Sequence, residues 1–170
     1  MSCCNTITGI TFSCLSNTGG VKEIYIACFD SLVSATVSSG EIIYATMSNN
    51  FEMFQFNKNT SSITEEATIN LENGTTFYTQ TVTLIIPRRD VAKRNAILLL
   101  ADGQPNLHII VKDQNDEFWW IGYANGSNLT ANVTGSGTTK SDLNGYTLTF
   151  TAEEPSLALG VDPSVIPTIV

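Results

Sequence analysis

Positive charge is scarce in this sequence. Its 170 residues hold eight Lys and Arg side chains against sixteen Asp and Glu, so the net charge is −8 at pH 7. Binding to DNA or RNA needs basic side chains spread over one face, where they contact phosphates. We therefore expect no specific nucleic-acid binding. Charged side chains make up only 14% of the chain, against roughly 25% in ordinary soluble domains, which predicts a largely neutral surface suited to protein contacts.

Long apolar runs are also missing. No segment approaches the roughly 20 apolar residues of a membrane span, and the opening MSCCNTITGITFSC lacks the basic and apolar regions of a secretion signal. We expect no membrane contact and synthesis in the cytoplasm, where the cysteines would be reduced thiols. Their spacing contains no paired C-x-x-C units, so no metal site is expected. Cys28, inside a strand pattern, is expected to be buried, and Cys3, Cys4 and Cys14 to lie close together.

Motifs of catalysis are absent as well. The single histidine, His108, lies in the strand pattern NLHIIVKD and is expected to be structural. The chain has no G-x-S-x-G, and GSGTTKSD (135–142) lacks the spacing of a phosphate-binding loop. The acidic side chains of Asp113, Asp116 and Glu117 sit in a loop too short for an EF-hand. We expect a protein that is not an enzyme and has no cofactor. A small hydrolase remains an alternative, because catalytic groups converge only in space.

The chain does contain many short segments of alternating apolar and polar residues, which is typical of strands. Asn73-Gly74 predicts a tight hairpin, and Asn49-Asn50 a second one. In GYTLTFTA, the side chains of Tyr146, Leu148 and Phe150 are expected to face the core. About ten strands are predicted, nine of them in the segments VKEIYIACF, EIIYATMS, FEMFQFN, SITEEATINL, TFYTQTVTLII, NLHIIVKD, EFWWIGY, NLTANVT and GYTLTFTA.

One segment favours a helix, at about residues 88–101. A proline precedes it and Gly103 ends it, and an apolar stripe is expected to cover the sheet. The stripe comprises Val91, Ala92, Asn95, Ala96, Leu98 and Leu99. The predicted fold is therefore mainly β (α+β), a β-sandwich or open β-barrel of about ten strands with this one α-helix packed on it.

Half of the positive charge belongs to this helix, outside the stripe and near the helix start, where the macrodipole disfavours cations. Either the face is merely solvated, or acidic groups of a neighbouring copy neutralise it. In FEMFQF both faces are partly apolar, so one of them is expected to meet a neighbour. The predicted interface residues are Arg88, Arg89, Lys93, Arg94, Glu65, Glu66, Phe54 and Phe56.

The tail, residues 155–170, is treated separately from the β-sandwich domain, residues 1–154. Prolines 155, 163 and 167 exclude a continuous helix, and too many side chains are apolar for a solvated linker. The tail must dock, either on its own sandwich or as an extended C-terminal arm across a neighbouring subunit, and we favour the arm. Its predicted interface residues are Leu157, Leu159, Val161, Val165 and Ile166.

Several blocks in order resemble a known group of proteins. They are GGVKEIYIACFD, FYTQTVTLIIPRRDVAKRNAILLLADG, IIVKDQNDEFWWIGY and GTTKSDLNGYTLTFTAEEP, and together they span nearly the whole chain. This arrangement resembles small virion structural proteins of tailed phages of Bacteroidales, crAss-like phages included, and is similar to phage tail-tube and tail-ring proteins.

The resemblance implies a non-enzymatic virion subunit, most simply a tail-tube or tail-ring protein made in the host cytoplasm. Its partners would be copies of itself, in a homo-oligomeric ring, and other phage tail or neck proteins. An acidic lumen would let DNA pass without adhering. Alternatives are another virion part, such as a head or decoration protein, and a carbohydrate-binding or adhesive β-sandwich. Exposed Trp119, Trp120 and Tyr123 would form the binding platform of such a sandwich, although one Trp in the core and one at the surface is the simpler expectation.

Overall fold

The structure is a computed structural model that describes residues 7–170. It is mainly β, with two α-helices, and the predicted fold class is confirmed. The helices are α1 (Val91–Ala101) and α2 (Ile166–Ile169). The strands are β1 (Val21–Cys28), β2 (Leu32–Ser38), β3 (Glu41–Met47), β4 (Glu52–Phe54), β5 (Ser62–Asn70), β6 (Thr75–Pro87), β7 (Leu107–Asp113), β8 (Phe118–Ile121), β9 (Ser127–Gly135), β10 (Gly145–Glu154) and β11 (Leu159–Val161).

All of these strands belong to one open sheet. Its order is β2-β3-β11-β8-β7-β9-β10-β6-β5, and β1 pairs with both β7 and β4. The pairings are antiparallel except for that of β11 with β3. Strands β2 and β5 therefore form the two ends of the path, and β5 has β6 as its one hydrogen-bonded neighbour among the described strands.

Two apolar clusters lie on opposite faces of β7. Ile109 and Val111 point into the main core, while Ile110 between them points into the second core. This alternation follows from the two-residue period of a strand, and a strand buried on both faces becomes a continuous apolar run. The main core is built largely from β1, β6, β7 and β10, and the second core from β1, β3, β8, β11 and α2.

Strand β10 lies between β6 and β9, as its sequence pattern predicts for a central strand. Tyr146, Leu148 and Phe150 are buried in the main core, which confirms the predicted alternation. On the opposite face of β10, Thr149 pairs with Thr83 and Thr151 pairs with Thr81. The outer face of the sheet is thus uncharged over this area and carries hydroxyl and methyl groups.

Two local predictions are wrong. Strands β3 and β4 do not pair with each other across Asn49-Asn50, because β3 pairs with β2 and β11 while β4 pairs with β1. Cys28 is exposed rather than buried, since it is the last residue of β1, where the strand leaves the core. Cys14 is exposed as well. Cys3 and Cys4 lie outside the described residues.

The tail differs from the expected arm. Strand β11 fits between β3 and β8, and α2 follows it into the second core of the same chain. Val161, Val165 and Ile166 are buried there, Leu159 is half-buried and Leu157 is exposed. The apolar groups that had to dock therefore do so within the chain, and Pro167 is accommodated because it stands in the first turn of the short α2.

Candidate assembly surfaces

The start of α1 is held by side chains next to it. Asp90 is the N-cap, and its Oδ1 accepts a hydrogen bond of 2.8 Å from the backbone N–H of Lys93. This bond, with the nearby charges of Lys93 and Arg88, holds the pKa of Asp90 below its usual value. The Nζ of Lys93 donates to the carbonyl oxygens of Pro87, at 2.7 Å, and of Arg88, at 3.1 Å. Lys93 therefore has an internal role in closing the turn before the helix.

The three arginines have no comparable role. Arg88, Arg89 and Arg94 are exposed, and no ion pair within residues 7–170 involves any of them. Arg94 donates from Nη1 to the side-chain oxygen of the adjacent Asn95, at 3.2 Å. A helix start does not stabilise cations, so local structure does not account for this charge.

The buried face of α1 is not the predicted one. Ile97 is buried, Leu100 and Lys93 are half-buried, and these three positions follow helical spacing. Leu98 and Leu99 of the predicted stripe are exposed, Leu99 by 76%. Residues 97–100 form an unbroken apolar run that points in every direction around the helix, so spacing alone does not identify the packed face. The exposed arginines and apolar residues together form the basic helix surface: Arg88, Arg89, Val91, Arg94, Leu98 and Leu99.

A groove of about 210 Å³ lies beside this surface, between α1 and strands β9 and β10. Arg89, Arg94 and Leu98 are among the residues that line it. Asn132, Thr134, Tyr146 and Ile97 complete the lining. The groove thus offers two positive charges, polar side chains and an apolar wall, which suits a ligand that carries both a carboxylate and an apolar group.

The second surface is the hairpin of β5 and β6. Its register is unbroken from Ser62↔Thr83 to Asn70↔Thr75. The four-residue turn between the strands is fixed by Asn70, whose side-chain oxygen accepts from the backbone N–H groups of Glu72 and Asn73, each at 3.0 Å. Gly74 completes the turn with φ +63°, so the hairpin predicted at Asn73-Gly74 is confirmed.

The end of this hairpin extends beyond the core. Leu71 is exposed by 91%, and Ile69 and Phe77 are also exposed. Glu72 is exposed at the turn, and no ion pair of the described residues involves it. We refer to Ile69, Leu71, Glu72 and Phe77 as the acidic hairpin tip. Ile69 and Phe77 lie on opposite faces of the hairpin, because Ile69 pairs with Thr76, the residue before Phe77 in β6. Exposed apolar side chains on both faces next to a charged turn are typical of a segment that contacts another protein.

Strand β6 separates the two surfaces. It begins beside the hairpin tip at Thr75 and ends at Pro87, directly before the arginines of the basic helix surface. An antiparallel strand of 13 residues spans roughly 40 Å at 3.2–3.4 Å per residue. One chain therefore carries an acidic apolar surface and a basic apolar surface at opposite ends of one strand, too far apart to contact each other.

Three of the other predicted interface residues outside the tail, Glu65, Phe54 and Phe56, have contacts within the chain. Glu65 accepts a 2.6 Å hydrogen bond from the backbone N–H of Ala158, whereas Glu66 is exposed. Phe54 and Phe56 are partly buried against the main core. A carboxylate already engaged with the tail is a poor partner for the arginines of a neighbour, and Glu72 was not identified from the sequence. The turn signal at Asn73-Gly74 predicted the place of Glu72 but not its exposure.

The predicted aromatic platform is not formed. Trp120 is fully buried in the second core, between Phe51 and Tyr123 in edge-to-face contacts, while Trp119 is half-buried and donates its indole N–H to Asp113. One tryptophan lies in the core and one near the surface, as the simpler expectation had it. His108 is buried as well, and burial lowers its pKa to about 4.

Among residues 7–170, no group of three or more His, Cys, Asp or Glu side chains is arranged to hold a metal ion. Neither helix of the described chain has the length and apolar character needed to cross a bilayer. Comparison with protein-family models, with curated proteins and with solved structures gave no match to this chain.

Proposed function

We propose that this protein is a non-enzymatic structural subunit of a bacteriophage virion, most simply of the tail tube or a tail ring. The observation that carries the proposal is the pair of complementary surfaces at the two ends of β6. Because the acidic hairpin tip and the basic helix surface differ from each other, copies that use both would associate head to tail. Such heterologous contacts generate rings or stacks rather than closed two-fold dimers.

The remaining surface is consistent with that role. The outer face of β6 and β10 carries the paired threonines Thr149 and Thr83, and Thr151 and Thr81, with the exposed Glu153 at its end. A neighbouring protein can therefore cover the threonine area without leaving a charge unpaired. The net charge of −8 would also keep DNA from adhering to a tube built of such subunits. The proposed partners are copies of the same chain and other tail or neck proteins of the virion.

The test is the assembly state of the purified protein. Mass photometry at low concentration and negative-stain electron microscopy at high concentration should show rings or tubes. A monomer at every concentration, in both low and physiological salt, would overturn the proposal. Compact oligomers without a central opening would favour a head or decoration protein instead. A glycan array with the same sample would test the carbohydrate-binding alternative, for which the burial of Trp120 leaves a smaller platform.

A further inference from the structure

We infer that the acidic hairpin tip of one copy docks in the groove beside α1 of a second copy, with Leu71 against the apolar wall and Glu72 between the guanidinium groups of Arg89 and Arg94. The inference rests on the proposed function in that it names the contact by which subunits would stack. It commits to one occupant for the groove, a second copy of this chain.

The hairpin tip has the properties of an inserting element. Its turn is held by the side chain of Asn70, so little conformational entropy is lost when it binds. Leu71 is almost fully exposed, and Ile69 and Phe77 are exposed on opposite faces of the strands that lead to it. The tip thus presents an apolar side chain and a carboxylate on adjacent residues of a preformed turn.

The groove is complementary to the tip in both respects. Arg89 and Arg94 line it without an ion-pair partner in the described chain, and Leu98 and Ile97 provide apolar contacts. A carboxylate between two guanidinium groups accepts charge-assisted hydrogen bonds, which are stronger than neutral ones. Burial of Leu71 against Leu98 would remove two exposed apolar side chains from water.

The contact must be intermolecular. The tip and the groove belong to opposite ends of β6, separated by roughly 40 Å of extended strand. Of the two acidic residues nearer the middle of the hairpin, Glu65 already accepts a hydrogen bond from Ala158. Glu66 is exposed opposite Thr79, eight residues along β6 from Pro87. Each copy therefore offers its tip to one neighbour and its groove to another, and such a heterologous contact generates a closed ring or an open stack.

The test uses charge reversal on the full chain. The variants are Glu72→Arg, Arg94→Glu and the two combined, with Glu117→Arg as a matched control because Glu117 is exposed in the β7–β8 turn and belongs to neither surface. Leu71→Ser tests the apolar half of the contact. Sedimentation velocity and negative-stain microscopy measure assembly at low and at physiological salt, and circular dichroism melting checks that each variant is folded.

We expect each single reversal and Leu71→Ser to weaken stacking by roughly tenfold or more, while the control stacks like the wild type. The combined reversal should recover part of the loss, because the new carboxylate at position 94 attracts the new cation at position 72 while Arg89 still repels it. If every single variant assembles like the wild type, this docking is overturned but the proposed function is not. Impaired single variants with no recovery in the combination would also overturn it, since the two charges would then act at separate contacts. A wild-type protein that is always monomeric would overturn both.

Discussion

The indole Nε1 of Trp120 lies 3.1 Å from Nδ1 of His108, and both side chains are buried. The same Nδ1 is 3.0 Å from the carbonyl oxygen of Gly122. Because Nδ1 cannot accept from the indole and donate to the carbonyl at once, the tautomer that accepts from Trp120 leaves the proton on Nε2. Nε2 has no hydrogen-bond partner among the described residues. A second proton on Nδ1 would find the Gly122 carbonyl as an acceptor but would displace the indole N–H, and the charge would be buried, so protonation is unfavourable on balance.

This arrangement predicts loss of stability in mild acid. The pKa of His108 is about 4 in the folded chain, mainly because of desolvation, and about 6.5 in an unfolded one. Between these values the unfolded chain binds more protons, so the His108 contribution is complete above pH 6.5 and is lost as the pH falls toward 4. The loss is at most about 3 kcal/mol. Urea unfolding at pH 7, 6, 5 and 4.5 measures it, and an equally steep decline in His108→Gln would assign the effect to other groups.

Phe150 should be essential to the main core. It is 1% exposed, so Phe150→Ala should lower the free energy of unfolding by about 3 to 5 kcal/mol, a large part of the stability of a typical domain. Thr149→Ala, on the opposite face of the same strand and half-buried, should change it by about 1 kcal/mol or less, through its cross-strand pair with Thr83. Chemical denaturation of both proteins compares them. Equal losses would mean that the face of β10 is assigned incorrectly.

Two glycines that pair across β9 and β10 should respond differently to the same change. A Cβ added to Gly145 would collide with the backbone carbonyl oxygen of Ile86, whereas nothing lies within 4 Å of a Cβ added to Gly135. Gly145→Ala should therefore cost about 2 kcal/mol or more, because backbone must move, while Gly135→Ala should be nearly neutral. The melting temperatures of the two variants measure this difference. An unchanged melting temperature for Gly145→Ala would contradict the close approach of β10 to β6.

Substitution of Lys93 should lower the stability of the fold, whereas substitution of the arginines should affect assembly only. Lys93→Ala leaves the carbonyl oxygens of Pro87 and Arg88 without their donor and should cost about 1 to 2 kcal/mol. Reversing Arg88 and Arg89 to Glu should leave melting close to the wild type while weakening assembly, more so at low salt. Circular dichroism and sedimentation measure the two effects. Assembly unchanged by the reversals would exclude a role for these two charges.

Removal of residues 155–170 should unfold the protein rather than release a stable monomer. The deletion removes β11 from between β3 and β8 and takes Val161, Val165, Ile166 and Ile169 out of the second core. Burial of four such side chains contributes several kcal/mol, at about 1.5 to 3 kcal/mol each. We expect an insoluble or non-cooperative product in expression and melting assays. A soluble, cooperatively folded monomer would show that the second core does not need the tail.

Local signals in the sequence predict local structure here. The turn at Asn73-Gly74 and the alternation in β10 depend on neighbouring residues, and both are confirmed. The position of β11 depends on β3 and β8, which are far away in the chain. The sequence pattern therefore predicts that Leu159 and Val161 are covered, but it does not identify the strands that cover them. Long-range pairing decides whether an apolar tail completes its own sheet or reaches a neighbour.

The candidate surfaces were predictable only in part. The surplus of arginine at the start of α1 is visible in the sequence, but the groove beside it forms only when β9 and β10 come close. Leu71 and Glu72 stand out only once the length of β6 places the turn beyond the core. The exposure of Leu71 and Glu72 is a property of the folded sheet, and the residues next to them in the sequence do not determine it.

Because the pairing of β5 with β6 is unbroken, the length of the two strands sets both the distance of the tip from the core and the direction its side chains face. One residue added to each strand would turn Ile69 and Phe77 to the opposite faces of the hairpin, because side chains alternate with a period of two. Two residues added to each strand would restore the faces and move the tip outward by roughly 7 Å. If copies stack along β6, insertion of two residues in each strand should lengthen the axial repeat of the assembly, whereas insertion of one residue in each strand should prevent assembly. Electron micrographs of a short insertion series would measure both effects.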